Sequence, residues 1–231
     1  MIALTIGIFL LGALLIIVQA NRTVFGNQNK LAQLQDAERM TLTLISDVIQ
    51  SAGYFPDPTT TTQTLALSAV PPFGAGEAIS GLFSAADPGD QISVRYMTAG
   101  GDGILNCSGL SNPAGNLNMR YVNVFQVMNG QLICTLNGVQ YNLVGDDTNI
   151  VITHLSVLYG VKSNTALPTN DVDTYMTAQD VSNNLLWANV ITAVITVTFK
   201  NPLFAPNQPL QPQTLSVQRT VAVMNQTGPL R

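Results

Sequence analysis

The chain predicts an α+β protein, with one long N-terminal helix laid on a mostly antiparallel β-sheet. Three observations predict it. Met1–Val18 (MIALTIGIFLLGALLIIV) holds no charge and only one hydroxyl side chain, Thr5. Leu31–Ala52 repeats apolar residues in steps of three and four. Beyond residue 90, short runs of alternating character succeed one another with Asn-Gly pairs between them, the pattern of hairpins.

The first run rises by about 1.5 Å per residue as a helix and so reaches roughly 27 Å, close to the hydrocarbon thickness of a bilayer. A secretory signal would show a basic start, a shorter apolar stretch and a small-x-small cleavage site. Here nothing basic precedes the run, and Gln19-Ala20-Asn21-Arg22 follows it. Membrane retention is the expectation. The packing residues are Ile2, Leu4, Ile6, Gly7, Ile8, Phe9, Leu10, Leu11, Gly12, Leu14, Leu15, Ile16, Ile17 and Val18. Gly7 and Gly12 lack a Cβ and permit close helix approach. Arg22 and Lys30 follow the span, which by the positive-inside rule alone would put the remainder on the cytoplasmic side.

The helix is expected to continue through Leu31, Leu34, Ala37, Thr41, Leu44, Val48 and Ala52, with Met40, Ile45 and Ile49 beside them. Asp36, Glu38, Arg39 and Asp47 lie around the other side. One face is therefore apolar and has to cover something; Leu31, Leu34, Ala37, Leu44, Val48 and Ala52 are the residues expected to pack on the sheet. Gly53 ends the pattern, and Pro56 and Pro58 prevent its return. Residues 1–52 so form one nearly continuous helix of about 75 Å, with Gly26 the place for a bend.

Pro56–Asp90 reads as surface loop, rich in Thr, Pro, Gly and Ala. Strands are expected at Gln91–Thr98, Met119–Met128, Gln131–Leu136, Val139–Val144, Ile150–Val161, Val190–Lys200 and Thr214–Met224. Asn129-Gly130 and Asn137-Gly138 supply hairpin turns. A short helix is expected around Tyr175–Val181.

The 231 residues leave roughly 175 for one well-buried domain after the stalk. Only 10% of residues are charged, against about a quarter in ordinary globular chains. Nine Lys and Arg against thirteen Asp and Glu give a net charge of −4, with the basic residues scattered. No electrostatic footprint for nucleic acid is present. Cys107 and Cys134 read as one disulfide if this part of the chain is exported, and as two buried thiols otherwise. The crosslink would contribute about 3 kcal/mol in the chain-entropy picture.

Catalytic, metal and cofactor residues are not expected. His154 is the single histidine, inside a strand pattern, and no G-x-S-x-G or H-E-x-x-H accompanies it. The pairs Asp87/Asp90, Asp146/Asp147 and Asp171/Asp173 could offer oxygens to Ca²⁺, but turn chemistry explains them equally. Gly100–Gly103 (GGDG) lacks the lysine of a phosphate loop and reads as a turn. Trp187 and the tyrosines are expected in the core, with a carbohydrate platform as the alternative. No small-molecule substrate is implied.

An apolar N-terminal helix, an amphipathic continuation and a β-rich head resemble a type IV pilin. More narrowly, the start MIALTIGIFLLGALLIIVQANRTVF resembles the stretch just after the prepilin-peptidase site of PilW-type minor pilins. LQDAERMTLTLISDVIQSAGY resembles their Arg-containing helix ending in Ala-Gly-Tyr, here Ala52-Gly53-Tyr54. Tyr159-Gly160 and Val172-Asp173-Thr174-Tyr175 match two further pieces. The resemblance implies a short basic leader and a glutamate upstream of Met1, so that the head faces the periplasm. It implies residues 1–20 as transmembrane and filament-core helix, 21–55 as its amphipathic continuation and 56–231 as the head. It implies a minor subunit that helps prime assembly at the filament tip, with other minor pilins and the major pilin as partners in a helix bundle. The bacterial inner membrane would hold it before assembly, and the pilus at the cell surface afterwards. A J-like pseudopilin of type II secretion and a membrane-tethered binding or adhesion module are the alternatives.

Overall fold

The structure is a computed structural model that describes residues 2–146, 149–164, 171–207 and 211–224; the side chains at 2–6, 8 and 9 lie outside that description. Helix α1 runs from Ile2 to Gln50 without interruption. The helix continues through Gly26 without a break, and nothing beyond the helix lies within 4 Å of the point a Cβ would occupy there. The helix ends where Gly53 takes φ +77°, the left-handed conformation that favours glycine. The chain then runs alongside the strand Gln91–Thr98: Gly53 N–H donates to Arg95 O at 3.0 Å, and Met97 N–H donates to Tyr54 O at 2.8 Å.

Among the described residues nine strands follow: β1 Ile79–Leu82, β2 Gln91–Thr98, β3 Met119–Met128, β4 Gln131–Leu136, β5 Val139–Val144, β6 Ile152–Val161, β7 Thr174–Met176, β8 Val190–Lys200 and β9 Thr214–Ala222. Short helices α2 (Gln63–Ala66) and α3 (Ala178–Asn183) and a 3-10 turn at Trp187–Asn189 lie between them. Asn129-Gly130 and Asn137-Gly138 close the β3–β4 and β4–β5 hairpins, all four residues at positive φ. That is the geometry for which Asn-Gly is selected.

The expected helix on antiparallel strands is what the structure shows, and those strands divide into two sheets. One is five-stranded, in the order β1-β2-β3-β4-β5; the other is four-stranded, in the order β7-β6-β8-β9. Every pairing within them is antiparallel. Alternation along a strand tells which side chains point inward but not which strand lies alongside. The segment between β5 and β6 starts a new sheet rather than extending the first. The loop expected over 56–90 also contains α2 and β1, and β7 precedes the short helix. β1 and β7 are four and three residues long, too short for a period to declare itself.

The two sheets are joined around Asp90. Its N–H donates to Leu155 O at 2.7 Å, while its carboxylate accepts from Ser84 N–H and Val157 N–H, each at 2.8 Å. α1 packs against β9, β8 and β5. A single core runs through both sheets and the second half of the helix, with Ile45, Phe125, Tyr159, Val197 and Phe199 among its fully buried members.

Candidate functional site

The two halves of α1 present opposite surfaces. From Leu10 to Phe25 the helix is bare: Leu10, Leu11, Leu14, Leu15, Ile16, Ile17 and Val18 are all exposed, Ile16 to 70% and Phe25 to 74%. Gly7 and Gly12 face open space: nothing beyond the helix lies within 4 Å of the point a Cβ would occupy. Ile2, Leu4, Ile6, Ile8 and Phe9 lie outside the described side chains. The helix is long and apolar enough to cross a membrane, by length and composition.

Further along, Leu34, Val48 and Ala52 are buried. Ala37 and Leu44 are half-buried against the core, and Leu31 is half-exposed. Thr41, Ile45 and Ile49, which belong to the expected apolar face, are buried too, Met40 beside them is exposed, and the stripe is widened by Leu42 and Ser46, also buried. The extra width arises because the helix touches strands of both sheets. Arg219 of β9 donates to Ser46 Oγ at 3.4 Å across that contact.

At the end of α1 an open groove of about 590 Å³ is lined by Asp47, Gln50, Ser51, Ala52, Tyr54, Ile104, Leu105 and Met224. Its far wall belongs to the loop between β2 and β3, which is held firmly. Cys107 and Cys134 are joined by a disulfide that ties the loop to β4. Cys107 N–H donates to Asn123 Oδ1 at 3.0 Å. Asp102 accepts from Ala99 N–H at 2.8 Å and Ile104 N–H at 3.1 Å, making the GGDG stretch a turn. This pinned loop nevertheless exposes Leu105, Leu110 and Leu117.

The side chain that sequence reasoning missed is Arg95. It is fully buried on β2, with Phe73 stacked 4.7 Å from the guanidinium. Nε donates to Glu77 O at 2.5 Å, Nη1 to Ser68 O at 2.7 Å, and Nη2 to Leu67 O at 3.1 Å and to Gly74 O. On β3, Arg120 donates to Ala66 O at 2.9 Å. Two arginines read as scattered in the chain thus share one task, holding the 63–77 loop to the sheet. Burial, reinforced by Arg120 and opposed by Glu77, lowers the Arg95 pKa to about 10. Its position inside an alternating strand, QISVRYMT, was the available signal: Arg95 is flanked by Val94 and Tyr96, both of which are buried.

His154 Nδ1 and Asp87 Oδ1 lie 2.9 Å apart near the surface. Among the described residues, no hydroxyl or thiol completes a catalytic arrangement with them. Of the other paired carboxylates, Asp90, Asp146 and Asp173 hold backbone amides. Asp146 accepts from Ile150 N–H at 2.9 Å, and Asp173 accepts from Ser163 N–H at 3.0 Å and Asn164 N–H at 2.8 Å. The Asn164 and Ser163 amides lower the Asp173 pKa. Asp147 lies outside the described residues. Among the described residues no group of three or more His, Cys, Asp or Glu could hold a metal ion. Trp187 is buried edge-on to Tyr159, with centroids 4.9 Å apart, and its Nε1–H donates to Ser182 Oγ at 3.0 Å. Burial, then the Asp90 charge, raises the Tyr159 pKa.

No protein-family model matches the chain, and no curated protein matches it. Among solved structures, the chain is similar to a type IV-like pilin from Thermus thermophilus, at 11% identity and a TM-score of 0.48, over 84% of this chain and 97% of that one.

Proposed function

We propose that the chain is a structural subunit of a type IV pilus-like filament. The observation that carries this reading is the bare apolar half of α1, continuous with a half that is built into the head. A stalk apolar all round is stable in lipid, and equally stable among like stalks. Moving it from one to the other is an apolar-to-apolar transfer, which costs little and is reversible in principle. Gly7 and Gly12 allow neighbouring helices to approach closely. In the stored form the stalk occupies the bacterial inner membrane with the head in the periplasm. In the assembled form the stalks bundle and the heads form the outer surface. The chain acts without catalysis or cofactor on this reading, and its partners are other pilins.

The narrower role, a PilW-type minor subunit that primes assembly at the tip with other minor pilins and the major pilin, rests on the sequence likeness around Ala52-Gly53-Tyr54 and Val172–Tyr175. A type II secretion pseudopilin would use the same stalk. The test is fractionation of the full-length product in its own cells. The expected result is the chain in the inner-membrane fraction, and in filaments sheared from the surface of assembling cells. Fewer filaments on deletion of its gene, with major-pilin levels unchanged, would support the priming role. A freely soluble monomer with residues 1–18 intact would overturn the whole reading.

A further inference from the structure

The C-terminal end of α1 carries an electrostatic debt. A helix ends in partial negative charge, normally answered by a cation in the last turn. Here the last turn has no basic residue, and Asp47 adds a full negative charge on the rim of the groove. Asp47 makes no ion pair among the described residues. Arg219 stands on the Ser46 side, donating to that hydroxyl. Beside Asp47 the groove turns apolar, with Tyr54, Leu105 and Met224 in its walls.

The complementary features stand on the exposed half of the same helix. Phe25 is 74% exposed, beyond the end of the apolar run. Arg22, one turn earlier, is exposed and makes no ion pair among the described residues. Three residues separate Arg22 from Phe25, and three separate Asp47 from Gln50. In parallel helices, Phe25 of one copy at the level of Gln50 of another therefore places Arg22 at the level of Asp47. An antiparallel approach would carry Arg22 past the helix end and away from the carboxylate.

We infer that this groove docks the stalk of a second copy of the chain, with Phe25 in the groove and Arg22 against Asp47. The two helices run parallel and are offset along the axis by about 37 Å, from a rise of about 1.5 Å per residue. The contact rests on the filament-subunit reading and requires at least two adjacent copies, a number the tip role leaves open.

The test uses two differently tagged full-length copies expressed together in assembling cells, one carrying Gln28→Cys and the other Ser51→Cys, with filaments sheared from the surface and treated with a short thiol crosslinker. Gln28 lies one turn beyond Phe25 on the same face, and Ser51 lines the groove. A mixed dimer is expected. Phe25→Ala in the stalk copy lowers its yield about tenfold or more. Arg22→Glu lowers it roughly fivefold, and Asp47→Arg in the groove copy restores it. Phe25 and Arg22 are exposed and outside the core, so their replacement leaves the head folded. A yield indifferent to Phe25→Ala, or no rescue by the charge exchange, overturns the docking. Recovery of the chain in sheared filaments without any mixed dimer overturns the docking and leaves the filament reading standing. A chain absent from sheared filaments overturns the filament reading and the docking with it, an outcome distinct from a chain present in filaments without the dimer.

Discussion

Ile16 and Ile45 lie in one uninterrupted helix and are the same residue type, yet one is 70% exposed and the other fully buried. The lower half of α1 is apolar around its whole circumference and bare among the described residues. The upper half is apolar on a broad stripe and is met by β5, β8 and β9. The difference teaches that the backbone of α1 is indifferent to its surroundings, while its side chains are not. A helix satisfies its own hydrogen bonds and can leave the head intact. Each exposed leucine or isoleucine forgoes about 1.5–3 kcal/mol of burial. Along the lower half that is a driving force for leaving water that the head does nothing to relieve.

The sharpest way to break this contrast is to destroy the head and leave the stalk alone. Arg95→Met removes a buried charge that donates to four carbonyls, that of Leu67 buried and the others part-buried, and unfolding in detergent is expected to become easier by about 3–5 kcal/mol. Proteolysis within residues 63–77 should precede cleavage elsewhere, and membrane partition should be unchanged. Loss of membrane retention would show that the stalk depends on the head.

A paired substitution sharpens it further. Ile45→Ala is expected to cost about 2–5 kcal/mol in urea unfolding of the detergent-solubilised chain. Ile16→Ala is expected to cost less than about 0.5 kcal/mol in the same measurement. Equal costs would mean that the lower half also packs on the head. Reduction of Cys107–Cys134 comes next, at about 3 kcal/mol. It should loosen the Leu105–Leu117 loop first, read as faster amide exchange there than in β8.

The smallest effect concerns Asp173. Its pKa is lowered in the fold by backbone amides. It therefore contributes stability above the ordinary carboxylate pKa and loses it as the pH falls through the lowered value. Asp173→Asn should flatten the acid limb of a stability–pH profile without altering membrane retention. An unchanged limb would place the acid sensitivity in other carboxylates.

The strands show how far pattern alone reached. β2, β3, β4, β5 and β8 have the bounds expected from alternation and Asn-Gly turns; the period of two is clearest in β3 and β8, which bury alternate residues, while β2 is buried on both faces and β5 is mostly exposed. β1 and β7 escaped, being too short for a period. The candidate site was legible in part. The apolar run declared the stalk, and the steps of three and four declared most of the packing face. The groove was not legible, because its walls come from α1, the β2–β3 loop and the end of β9, which are remote in sequence. Nor was the role of Arg95, whose partners lie eighteen to twenty-eight residues away.

Local pattern therefore established the stalk, the long helix, the hairpins and most strands, since each depends on neighbours a few residues apart. Tertiary structure decided the rest: the division of the strands into two sheets, a helix covered from two directions, an arginine clasp and a groove with an uncompensated negative rim. Those features depend on which distant surfaces meet, and periodicity carries no information about that.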